Sequence, residues 1–170
     1  QGAGNIVSTE SGMITCQHMV LAMGYETHSM IKKNIGELIG TYAFISEPIA
    51  NLPSSISETL LWDTDSPYLY VRTTSDNRVL VGGCDVRFKN PIRRDALIEK
   101  KQAALYEKFR KLIPGISLIP DFSWAGTFGV TKDALPYMGT HPDFPNSYFV
   151  LGFGGNGITF SLMGMEIISD

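Results

Sequence analysis

The chain has 170 residues, 44% of them hydrophobic, and a formal net charge of −3. Such a composition supplies enough apolar side chains for an ordered core, in one globular unit or two small lobes, and excludes intrinsic disorder. The acid-leaning balance argues against an extended nucleic-acid footprint, and no apolar run approaches the roughly 18 residues of a membrane span or the layout of a signal peptide.

Ile6-Val7 and Met13-Ile14-Thr15 flank Thr9-Glu10-Ser11-Gly12, a polar cluster ending in glycine, and this predicts a hairpin. Residues 18–23 are almost continuously apolar, which predicts a strand covered on both faces in a parallel sheet, ending at Gly24 where the backbone needs freedom or close approach. Cys16 and Cys84 are far apart and form no CxxC pair, so neither a zinc site nor a disulfide framework is signalled; a reducing, cytoplasmic compartment is expected.

From Thr41 the texture becomes alternating, through Tyr42, Phe44 and Ile45, then residues 60–62, 68–72 and 78–83, and this predicts an antiparallel middle. Ser, Asp and Asn within residues 73–77 predict a turn, so residues 68–83 read as one hairpin with Arg72 near its end. Asn90-Pro91 predicts a helix start, and Ile98, Leu105, Phe109 and Leu112 form one apolar stripe before Pro114-Gly115 stops the helix. Nine of the fourteen Lys and Arg residues lie in residues 87–111 together with Asp95, Glu99 and Glu107, the mixed signs of a solvated helix face.

Residues 122–129 predict a further strand, residues 131–139 an irregular segment, and residues 139–145 a Pro-containing loop that exposes His141. The three histidines lack metal-ligand spacing, and no metal site is expected. The chain closes on Tyr148-Phe149-Val150-Leu151, then Gly152-Phe153-Gly154-Gly155-Asn156-Gly157, then a helix over residues 158–168. A helix start leaves unpaired backbone N–H groups at its positive end, and glycines let a ligand reach them without meeting a Cβ. The turn therefore reads either as a pocket for a planar or anionic ligand or as an ordinary strand-to-helix connection.

The expected fold class is α+β. Residues 1–40 and 135–170 share the parallel-sheet texture and form one lobe, while residues 41–134 form an antiparallel or mixed sheet with one long helix.

Three segments carry a resemblance. Val20-Leu21-Ala22-Met23-Gly24-Tyr25, the run Gly126-Thr127-Phe128-Gly129-Val130-Thr131-Lys132-Asp133-Ala134-Leu135-Pro136-Tyr137-Met138-Gly139, and the closing glycine turn resemble, in order and spacing, the FAD-dependent D-amino acid oxidase superfamily, in its glycine oxidase, sarcosine oxidase and DadA-like branches. The likeness implies that residues 41–134 are a substrate (cap) domain and that residues 1–40 and 135–170 are the returning strands and C-terminal helix of an FAD-binding lobe. No GxGxxG turn precedes the cap region, so the chain reads as the carboxy-terminal half of such an oxidase, with weak or absent FAD binding alone and the amino-terminal FAD-binding half as its partner.

On this resemblance Gly154, Gly155, Asn156, Gly157, Ile158 and Thr159 face the pyrimidine end of the isoalloxazine, and Gly24 lets the dinucleotide cross the sheet edge. The implied chemistry is oxidation of a C–N bond in an amino acid or related amine by hydride transfer to flavin. Phe128 stands where many relatives place a carboxylate-binding arginine, and Arg72 is the replacement candidate; Tyr70, two residues away on the same strand face, and Lys132 join it as substrate-binding candidates. Arg72 reads equally as the partner of a surface carboxylate, and Tyr42 and Trp62 as core aromatics or as site walls. The competing expectations are a non-catalytic binding module for a small ligand or protein, and a subunit of a hetero-oligomeric amine oxidase or dehydrogenase.

Overall fold

The computed structural model describes residues 4–31, 35–88 and 90–169. In chain order its elements are β1 (Asn5–Thr9), β2 (Gly12–Cys16), β3 (Met19–Leu21), a 3-10 turn (Gly24–Ser29), β4 (Gly36–Ser46), β5 (Leu60–Trp62), β6 (Leu69–Thr73), β7 (Val79–Arg87), α1 (Pro91–Asp95), α2 (Ile98–Leu112), β8 (Pro120–Thr131), β9 (Tyr137–His141), β10 (Phe144–Leu151) and α3 (Gly157–Ser169). The architecture is mixed α+β. It divides into two compact units, Gln1–Leu38 with Phe128–Asp170 and Ile39–Thr127, and the chain passes between them within β4 and again within β8.

The discontinuous unit carries the β1–β2 hairpin, closed where Thr9 faces Gly12, and a three-stranded sheet in the order β3-β10-β9. β3 and β10 run parallel, β10 and β9 antiparallel. Leu21, Ile31, Ile35, Phe149 and Leu151 form its core. β3 is shorter and more open than the apolar run predicts: Leu21 is buried but Val20 is 52% exposed, because the strand is covered on one face and not on the other.

Residues 131–139 also depart from expectation. Thr131–Ala134 is a turn, fixed by the Thr131 hydroxyl donating to Leu135 O at 2.7 Å, and β9 then starts at Tyr137. A five-residue strand opening behind proline and interrupted by Gly139 lacks the length and alternation that make a strand legible. His141 is consequently not a freely solvated loop residue: it ends β9 with its ring 5.7 Å from that of Phe144 and 5.9 Å from that of Phe149.

The continuous unit holds the five-stranded sheet, in the order β5-β6-β7-β4-β8. β6 pairs antiparallel with both neighbours, setting Tyr70 opposite Trp62 on one side and Gly82 on the other. Period-two alternation sends Leu69, Val71, Val79 and Val81 to one face, where Leu105 and Phe109 of α2 cover them, and burying each such side chain contributes about 1.5–3 kcal/mol. Asn90 caps α1 as predicted, accepting from Ile92 N at 2.9 Å, while the single expected helix is interrupted at Ala96-Leu97, giving α1 and α2.

The opposite face of this sheet is bare of helix within the unit. Trp62 is 65% and Phe122 64% exposed, and Leu60 and Trp124 are also exposed. Between β4 and β7 the register slips, so that Cys84 and Asp85 together oppose Thr41; Cys84 takes φ +54°, the mark of a β-bulge. Bulges re-aim side chains and recur beside functional sites.

Candidate functional site

Two places concentrate the residues singled out from the sequence, one in each unit. The first is the turn after β10. Gly152 (φ +80°) is required by packing, since a Cβ there would lie 2.5 Å from Thr131 Cγ2. Gly154 (φ +54°) is required by conformation, and its N–H donates to Gly129 O at 3.0 Å. Gly155 and Gly157 are different: neither lies in the left-handed region, and a Cβ on either would meet nothing within 4 Å. Neither the chain's packing nor its backbone explains why these two are glycine.

What the open side of the turn presents is a set of donors. α3 starts at Gly157, and Phe160 N bonds to Asn156 O at 3.0 Å as the first rung of its ladder. The amides of Gly157, Ile158 and Thr159 precede that rung and have no acceptor within the helix. Ile158 and Thr159 are exposed, as are Gly155 and Asn156. Phe153, ring-packed on Phe160 at 6.1 Å, pins the turn to the helix. The fit to a flat anionic ring edge is good: an unobstructed surface, donors pointing outward, and the positive end of a thirteen-residue helix behind them.

Gly24 opens the 3-10 turn three residues beyond the end of β3, at φ +61°, and a Cβ there also meets nothing within 4 Å. Its left-handed backbone accounts for glycine without a ligand. Lys132 is an exposed residue of the turn between β8 and β9, in the discontinuous unit, whereas Arg72 and Tyr70 belong to the continuous one. A cavity of about 240 Å³ beside β9, lined by Ile31, Ile35, Tyr137, His141, Phe149 and Leu151, falls below the roughly 300–1,000 Å³ typical of ligand pockets.

The second place is the bare sheet face. Tyr70 lies flat over Gly82, whose Cβ would sit 2.1 Å from the ring, so glycine at 82 is what lets the phenol rest on the sheet. Tyr68 stacks on Tyr70 at 6.3 Å and meets Trp62 edge-on at 6.2 Å. Arg72 is exposed two residues along the same strand face, and among the described residues it enters no ion pair. Burial pushes the Tyr70 hydroxyl pKa up, the Asp85 carboxylate adds to this and the Arg72 guanidinium opposes it. Tyr68 is raised far more strongly, by burial first and then by the neighbouring Asp85 charge, and so stays protonated across the working pH range.

Tyr68, Thr41 and Asp85 escaped the sequence reading. The signal available for Asp85 was an acid two residues beyond a Gly-Gly pair inside an otherwise apolar strand, the pattern of a bulge that turns a polar side chain out of the ladder. Tyr42, by contrast, is a core residue: it is buried on the helix side, its hydroxyl donating to Arg94 O at 3.1 Å.

The comparisons with known proteins agree in direction. The chain matches the family model described as FAD dependent oxidoreductase over residues 1–170. It is 24% identical over 172 residues to gamma-glutamylputrescine oxidoreductase of Escherichia coli (strain K12), covering 97% of this chain and 38% of that protein. It is 23% identical over 172 residues to glycine oxidase of Geobacillus kaustophilus (strain HTA426), covering 99% of this chain and 44% of the relative. Among solved structures, glycine oxidase from Geobacillus kaustophilus superposes with a TM-score of 0.76 at 19% identity, over 99% of this chain and 45% of the other. L-Proline dehydrogenase from P. horikoshii gives 0.73 at 21% identity, over 96% and 46%. The chain thus spans less than half the length of each of these relatives, and at these identities the superpositions speak to the fold.

Proposed function

The chain belongs to the FAD dependent oxidoreductase family, and on that premise we propose that it is the substrate-domain and returning-lobe portion of an enzyme that oxidises a C–N bond of an amino acid or related amine. In this reading the discontinuous unit is part of the FAD-binding lobe and the continuous unit is the cap. Bound flavin supplies the hydride acceptor. The residues of this chain do the rest of what falls to it. The amides at the start of α3 stabilise negative charge on the pyrimidine edge, and Gly155 and Gly157 leave room for the ring to approach them. Arg72 binds a substrate carboxylate, and Tyr70 walls the same face. A dinucleotide-binding half bearing a GxGxxG turn is the partner that holds the pyrophosphate.

The single observation carrying this reading is that Gly155 and Gly157 have no reason within the chain to be glycine. The test follows from it. Gly157→Ala at the first turn of α3 is expected to leave the unliganded chain as stable or up to about 1 kcal/mol more stable, because alanine is the better helix former. The same change is expected to weaken FAD binding, read as the shift of flavin absorption on titration with the GxGxxG-bearing half supplied in trans. A destabilised chain, or unchanged flavin affinity in the variant, would remove the basis for the flavin-facing role. A non-catalytic binding module is the alternative, and it predicts ligand capture by the chain without flavin.

A further inference from the structure

The aromatic face of the five-stranded sheet contains an acid whose neighbours are phenol hydroxyls rather than a cation, and one of its carboxylate oxygens has no partner. Asp85 sits in the β7 bulge opposite Thr41, and both Asp85 Oδ1 and Thr41 Oγ1 are buried with no hydrogen-bond partner. The Tyr68 hydroxyl is within hydrogen-bonding reach of the Asp85 carboxylate and of the Thr41 hydroxyl, which leaves Oδ1 as the carboxylate oxygen still open, and Tyr70 lies close enough to feel the charge. Among the described residues Asp85 enters no ion pair. Lys101 of α2 is engaged on the helix side, donating to Cys84 O at 2.7 Å and lying 5.3 Å from the centre of the Tyr42 ring.

An unsatisfied carboxylate oxygen costs free energy that a folded chain ordinarily avoids by pairing. Here the bulge turns it toward a face walled by Tyr68, Tyr70 and Trp62. A carboxylate beside aromatic rings is the chemistry that selects an alkylammonium: the charge takes the –NH₃⁺ head, the ring faces take its polarising methylenes, and a neutral or anionic group gains neither. Arg72, on the neighbouring strand position with its guanidinium exposed, supplies the opposite sign on the same face.

We propose that Asp85 is a specificity-determining residue that anchors a cationic nitrogen of the substrate on this face, so that the substrate class is an amine carrying an alkylammonium group. An amine must be unprotonated at the nitrogen next to the carbon that yields hydride, so the anchored ammonium is a second nitrogen, distinct from the one oxidised. This substrate class rests on the oxidase reading given above, whereas the cation site itself needs no flavin.

The test separates the two. Binding of n-butylammonium and of its uncharged counterpart 1-butanol is measured at neutral pH by the change in tryptophan and tyrosine fluorescence, on the 170-residue chain, as wild type, Asp85→Asn and Asp85→Glu. The wild type is expected to favour the ammonium roughly tenfold or more, the margin of a charge-assisted contact. Asp85→Asn is expected to abolish the preference and Asp85→Glu to keep part of it, with unchanged melting curves. A wild type that binds both probes alike, or an Asn variant that keeps the preference, overturns the proposal. Flavin titration of the same samples with the GxGxxG-bearing half present reads the oxidase assignment independently: preference without flavin binding sinks that assignment alone, and flavin binding without preference sinks only the Asp85 role.

Discussion

Arg72 and Arg78 show how differently one residue type behaves on this sheet. Arg78 is engaged, its Nε donating to Asp76 Oδ2 at 3.0 Å and its Nη1 to Asp121, while Arg72 is left facing solvent beside Tyr70. A guanidinium without a carboxylate of its own is available to a ligand, so in the FAD-loaded enzyme Arg72→Ala is expected to raise KM for a carboxylate-bearing substrate about 10- to 100-fold, from loss of a charge-assisted pair, with little change in kcat. An unaltered KM would assign Arg72 to the surface. Acid acts on the other arginine's partner. The Thr74 hydroxyl, and then Arg78, hold the Asp76 carboxyl below its usual range, so this group adds stability above the unfolded carboxylate pKa of about 4 and loses it as pH falls through the lower folded value. Asp76→Asn is therefore expected to lower the melting temperature slightly at neutral pH and to match the wild type in strong acid, so that the acid-dependent fall is shallower; the difference is small because the pair is solvent-exposed. The pairing of Tyr70 with Arg72 on one strand face was legible in the sequence because strands alternate strictly; Asp85 was not, because one extra residue in β7 breaks that alternation where it matters.

At the scale of elements, legibility followed signal strength. The hairpin of β6 and β7, the Asn90 cap and the closing α3 each carry several concordant cues, namely turn residues, alternation, a cap and a glycine stop, and each stands where those cues put it. β3 and β9 carry one cue apiece. β3 is three residues long with an open face, so its apolar run overstated its cover; β9 has no alternation beyond Tyr137 and Gly139. The α2 stripe was half right for a physical reason: Leu105 and Phe109 are fully buried, but Leu112 has turned past the sheet edge and is exposed. Phe109 is thus the residue on which the docking of α2 depends. Phe109→Ala is expected to cost about 3–5 kcal/mol in denaturant unfolding, against less than about 1 kcal/mol for Leu112→Ala, and comparable losses for the two would contradict this packing.

At the scale of the whole molecule, the described residues form two cores with no residue in common, one built on Leu21, Phe149 and Leu151 and the other on Phe44, Val81, Leu105 and Phe109. Destabilisation should stay where it is introduced. In native-state hydrogen exchange Phe109→Ala is expected to accelerate the amides of β6 and β7 and to leave those of β10 at their original rates; equal acceleration throughout would mean a single cooperative unit. The structure divides the chain at Leu38 and Thr127, and the assignment of one unit to a cofactor and the other to a substrate is a reading of chemistry that rests on the proposals above.

The two crossings through β4 and β8 give the middle unit an unusual status. At the first crossing Gly36 lies so close to Val130 O that a Cβ would come within 2.3 Å of it, so the strand that leaves the outer unit and the strand that returns to it are immediate neighbours. A stretch that departs and re-enters at adjoining points is an insertion with a shared doorway. Its length and contents are free to vary at little entropic penalty to the host, because the doorway is held shut whatever lies beyond it. The inserted module can therefore change in length or content without displacing the two ends that the outer unit holds together.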